Sequence, residues 1–150
     1  MSDFVNKVVT IILIFVLLVL APLLISYMST DMVTERLVLN EVTQFIDRVT
    51  DKGEITDADI NDIYLGVNSH GGTYDVKVER YIRVATEDPK NNGRVKTVYY
   101  NTDHIGDLNV GDVVKVHVKE IGVSNSKRLM WQLLRIDKGS FEFSLAGTVR

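Results

Sequence analysis

Three histidines, His70, His104 and His117, and a run of carboxylates from Asp51 to Asp59 are the residues of this chain best equipped to bind a metal or move a proton. A zinc site usually takes two ligands from one short segment, at a spacing such as HxxxH, or uses cysteine thiolates. Here the histidines stand far apart and there is no cysteine. A zinc site would have to gather all three from separate segments, and their spacing gives no sign of that. Asp51, Glu54, Asp57 and Asp59 look like pieces of a calcium loop. Such a loop needs oxygen ligands at set positions and glycine at the sixth. With Gly53 sixth, the first position falls on Arg48; with Asp57 first, the sixth is Asp62 and the twelfth Asn68. Both registers fail, so the acids read as a helix cap and a solvated face. No GxSxG, HExxH or phosphate-binding glycine loop occurs, and Ser69-His70 is adjacency without a triad. Trp131, among apolar neighbours, reads as core packing. No catalytic residue, metal or cofactor is expected, and the chain does not read as an enzyme.

Function must therefore be sought in the elements themselves. Val8 to Met28 reads VVTIILIFVLLVLAPLLISYM and carries no charge. About 20 apolar residues in a helix span roughly 30 Å, the hydrocarbon thickness of a bilayer. Val8, Ile12, Phe15, Val19, Pro22 and Ile25 are its marker positions as a membrane and assembly helix. Pro22 removes one helical hydrogen bond, which predicts a kink near Ala21. The run is longer than the apolar core of a signal peptide, and Ser26-Tyr27-Met28-Ser29-Thr30 is a poor cleavage site. A retained anchor fits better than a removed one. Lys7 precedes the run; Arg36, Arg48 and Lys52 follow it, so charge bias orients it only weakly. The expected arrangement has the short N-terminus in the cytoplasm and the rest outside. The net charge is −3, and no basic cluster exceeds Lys127-Arg128, which argues against a nucleic-acid partner.

Two regions follow: residues 1–28 as tail and span, and 29–150 as an extracytoplasmic domain. From Ser29 to Lys52 there is no Gly or Pro, so the helix should continue past the membrane. Leu39, Val42, Phe45, Ile46 and Val49 recur at helical steps. Val42, Phe45, Ile46 and Val49 should pack against the domain, while Leu37 and Val38 should be freer to meet other subunits. Gly53 ends this helix. Thr56, with Asp57 and Asp59, starts another that carries Ile60, Ile63, Tyr64 and Val67. Strands are expected over 74–84, with Arg80 the single misfit on the apolar side, over 94–101 and over 114–119. A helix is expected over 127–136, and a final strand carries Phe141, Phe143, Leu145 and Val149. The fold class is α+β: a long N-terminal helix, a small mainly antiparallel sheet and two further helices.

An apolar N-terminal run continuing into an amphipathic helix, then a small sheet domain, resembles type IV pilin-like subunits. The fuller resemblance is to pilin-like membrane proteins of tight-adherence (Tad) type systems of Gram-positive bacteria. The residues that carry it are Asp31-Met32, Val42 to Val49 with Phe45, Gly53-Glu54-Ile55, Gly72-Thr73-Tyr74-Asp75-Val76, Val110-Gly111-Asp112 and Ala146-Gly147-Thr148-Val149. A processed pilin usually has a leader ending in glycine and a glutamate at the fifth mature position. Neither is present, so either a leader has been removed or this is an uncleaved minor component.

The resemblance implies a structural or accessory subunit of a pilus or secretion filament. Its partners would be membrane lipid and other pilin-like subunits, as a homo-oligomer or filament built through helix packing. The alternative is an anchored extracytoplasmic binding module that does not polymerise. Both require the span. A charge at its centre costs about 2.5–3.5 kcal/mol on insertion scales. Leu17→Arg should therefore deplete the protein from alkaline-washed membranes; undiminished recovery would mean that this run does not span.

Overall fold

The computed structural model describes residues 2–87, 95–102, 106–122, 128, 131–132 and 140–150. It begins with α1 (Ser2–Phe15), a π-helical turn (Val16–Leu20) and α2 (Ala21–Lys52), which follow one another without a break. Then come α3 (Asp57–Asn68), β1 (Thr73–Glu87), β2 (Val95–Thr102), β3 (Val113–Gly122) and β4 (Glu142–Thr148). The fold is α+β, with a long N-terminal helix, a second helix and one antiparallel sheet in the order β2-β1-β3-β4.

Each helix boundary has a local cause. At the end of α2, Gly53 takes φ 73° and its N–H donates to the Val49 carbonyl at 2.9 Å. A residue with a Cβ adopts that left-handed conformation only at a cost. Ile55 N–H then donates to the Gly106 carbonyl at 3.0 Å, and Leu108 N–H to that of Gly53 at 2.8 Å. Thr56 opens α3 with a capping box: Asp59 N–H donates to Thr56 Oγ1 at 3.3 Å, and Thr56 N–H to Asp59 Oδ2 at 3.0 Å. The Thr56 hydroxyl, which also donates to Asp59 Oδ2 at 2.6 Å, and then the Thr56 N–H hold the Asp59 carboxyl below its ordinary value.

The core lies between the two helices and one face of the sheet. Val42, Phe45, Ile46 and Val49 of α2 meet Ile63 and Val67 of α3, Tyr74 and Val76 of β1, and Val114, Val116 and Val118 of β3. Phe141, Phe143 and Leu145 pack on its margin. At Gly147 the helix comes so close that an added Cβ would collide with Ile46 Cγ2. Two expectations need correction. Val38 is not free for other subunits; it is 0 % exposed and belongs to the core. Its position, four residues before Val42, places it on the same helical face. Leu39, expected in the stripe, is 41 % exposed and stands at the edge of the domain, beside Phe141 and Phe143.

Arg80, the misfit of β1, is buried for a reason. Its Nε and guanidinium nitrogen donate to Asp112 Oδ2 at 3.1 and 2.7 Å. Asp112 also accepts from the backbone N–H groups of Arg83 and Asn109, each at 3.1 Å. One carboxylate thus closes the Asn109–Asp112 turn and fixes β1 against the start of β3. Beyond Tyr81, which pairs with Val113, β1 leaves β3 behind and, among the described residues, pairs only with β2, forming a two-stranded arm. Of the helix expected over 127–136, Arg128, Trp131 and Gln132 are helical; its other positions lie outside the described residues.

Burial pushes the Asp112 carboxyl up, but the hydrogen bonds from Asn109, Arg80 and Arg83 outweigh it and hold it below the ordinary 3.8. A depressed carboxyl stabilises the fold above its unfolded-state value, and that stability is lost as pH falls through its folded-state value. Asp112→Ala strands a buried guanidinium and should cost about 3–5 kcal/mol in urea denaturation at neutral pH. Asp112→Asn should flatten the acid limb of the stability curve below pH 3.8, leaving the contributions of the other depressed carboxyls, Asp59 and Glu79.

Candidate assembly and anchoring surface

Among the described residues, most of the exposed large apolar side chains lie on the N-terminal helix. One helix among the described residues, Asp3–Lys52, is long and apolar enough to cross a membrane, and none of its most apolar stretch is buried. Val8, Ile12, Phe15, Val19, Pro22 and Ile25 all stand exposed along it, Ile25 at 67 %. The expected disturbance at Pro22 takes the form of the π-helical turn just before it. There Ala21 N–H donates to the Val16 carbonyl, five residues back. Pro22 has no N–H to give, and its ring crowds the carbonyl four residues earlier. The wider turn accommodates the ring without ending the helix.

Between the apolar run and the core stripe lies a neck, Ser29 to Leu39. Met32, Val33 and Leu37 are exposed here, Leu37 at 40 %. Two concavities flank it. A groove of about 400 Å³ is lined by Met32, Glu35, Arg36, Leu39, Phe141 and Phe143. A cavity of about 330 Å³ opens where Ser26, Tyr27, Asp31 and Thr34 face His70, Tyr74 and Glu120. Burial, then the negative fields of Glu120, Glu35 and Asp31, push the Tyr74 hydroxyl up to about 12. It remains a neutral donor at physiological pH.

Among the described residues no group of three or more His, Asp or Glu side chains could hold a metal ion. His70 Nε2 lies 3.6 Å from Glu41 Oε1 and has no hydrogen bond among the described residues. His104 lies outside them. His117 forms a constellation that sequence reasoning missed. Its Nδ1 is 2.7 Å from Ser144 Oγ, and its Nε2 is 3.0 Å from Glu142 Oε1. Serine, imidazole and carboxylate recur in nucleophilic catalysis. Here they stand on the solvent face of the sheet, and none of the three lines either concavity. The arrangement is a cross-strand surface network. Only the β3–β4 register, which sets His117 opposite Ser144, could have revealed it.

The fold and these surfaces define an α+β head carried on one long helix whose first half is long and apolar enough to cross a membrane. No protein-family model, curated protein or solved structure matches the chain.

Proposed function

We propose that this protein is a pilin-like structural or accessory subunit, held in a membrane by α1 and the start of α2, that assembles through its N-terminal helix. The observation that carries this reading is the division of one unbroken helix. Its second half is spent on the core of an antiparallel head, and its first half presents apolar side chains all round. In a bilayer, lipid covers that surface. In a filament, neighbouring helices cover it instead, with close packing in place of lipid contact. The head then lies outside the cytoplasm, and the N-terminus inside.

The alternative, an anchored binding module, draws on the β1–β2 arm, where Val95, Tyr99 and Tyr100 are exposed. Exposed tyrosines at the far end of a head suit recognition of another molecule. Both readings share the anchor and the topology and differ in polymerisation.

Topology is tested with protease added to intact protoplasts, which should digest the head. Protection until lysis would reverse the orientation and remove the pilin reading. Polymerisation is tested by imaging purified surface filaments and identifying their subunits by mass spectrometry. Leu37→Asp should leave the melting temperature of the head nearly unchanged, since Leu37 lies outside the core. It should impair incorporation, because a charge would enter a helix contact without a partner. Wild-type incorporation would favour the binding module.

A further inference from the structure

The apolar run and the apolar surface of the helix end at different heights. Val8 to Met28 already provide the roughly 30 Å that a hydrocarbon core requires. Met32, Val33, Leu37 and Leu39 are nevertheless exposed beyond it. Leu39 lies about 16 Å past Met28 at the α-helical rise. Lipid tails do not reach that far when the run is centred in the bilayer. Single exposed apolar residues need no explanation. Met32 and Leu39, however, line one groove with Phe141 and Phe143, with Glu35 and Arg36 in the same lining. Positions 32, 35, 36 and 39 follow the three- and four-residue steps of one helical face. Val33 and Leu37 lie roughly a third of a turn or more away from it.

We propose that this groove receives the same stretch of helix, Met32 to Leu39, from a second copy of the chain. The inference rests on the anchored-helix reading above and names the partner and the face. Two copies inserted by the same run stand parallel, with their necks at one height. A two-fold axis along the bilayer normal then brings groove to groove, a self-complementary contact in which each copy supplies the same patch. Arg36 of one copy comes level with Glu35 of the other. Neither makes an ion pair among the described residues, so the charges complement each other across the pair. Val33 and Leu37 remain uncovered, so the pair can be a unit of a larger assembly.

The chain has no cysteine, so single cysteines introduced into the full chain report contacts directly. A disulfide forms only where Cα atoms come within roughly 4.4–6.8 Å. Oxidation in native membranes should convert Leu39→Cys and Met32→Cys to dimers of identical chains. Asn40→Cys, one residue on and on another face, should stay monomeric. Adding Arg36→Glu to Leu39→Cys should weaken the dimer, and adding Glu35→Arg as well should restore it, because reversing both charges preserves their complementarity. Several results overturn the proposal: equal cross-linking at Asn40, which means random collision; a Leu39→Cys dimer indifferent to Arg36→Glu; or cross-links to an unlike protein. Monomeric Leu39→Cys and Met32→Cys in protein that still enters filaments would also overturn it, while leaving the functional reading intact. Wild-type protein absent from membranes would instead defeat the reading beneath it.

Discussion

The structure depends on the seating of α2 against the sheet through Val38, Val42, Phe45, Ile46 and Val49. These side chains are almost completely removed from water, and each such burial contributes on the order of 1.5–3 kcal/mol before entropy is set against it. The helix has little other reason to be where it is. Its outward positions near the head, among them Asn40, Gln44 and Asp47, are polar and exposed. If the stripe were shifted by one residue, Thr43 and Asp47, or Glu41, Gln44 and Arg48, would turn towards the sheet. The stripe therefore fixes rotation as well as position, and that rotation decides which way Met32, Glu35, Arg36 and Leu39 face. Gly147 lets the helix approach closely enough for the stripe to seat.

On the reading proposed above the same helix serves two environments, and its sequence changes character between them. Along the apolar run, side chains of one kind surround it, as suits lipid or a ring of neighbours. Along the head, one face is apolar and the rest polar. The neck is the transition, and it is where both concavities lie. Covered apolar surface in a membrane brings little hydrophobic gain when lipid is exchanged for protein. In the neck the exchange is of water for protein, so a contact there gains the full hydrophobic term. On that reading the neck is the place where association is selective.

Much of this was legible in the sequence, and the reasons are physical. Periodicity located α2 and its stripe because one helical face supplies most of the core. Gly53, and Thr56 followed by the acids Asp57 and Asp59, marked the helix ends because backbone conformation and unpaired N–H groups restrict the residues allowed there. Alternation located the strands and isolated Arg80 as a charge on the wrong face. It could not show the answer to that misfit, because Asp112 lies far along the chain. Val38 was misplaced because it precedes the regular part of the stripe, and Leu39 because periodicity does not say where the sheet ends. The His117–Ser144–Glu142 network needed strand register, which alternation leaves open.

Helix α2 and strand β4 run side by side in the same direction. Leu39 lies beside Phe143, Ile46 beside Gly147, and Arg150 N–H reaches the Thr50 carbonyl. Tension on the N-terminal helix would therefore act along the helix–sheet boundary, so the stripe would have to slide past its partners together. A joint loaded in shear resists through all its contacts at once, whereas one that peels yields them singly. A head attached in this way can bear a pull directed along its own stalk.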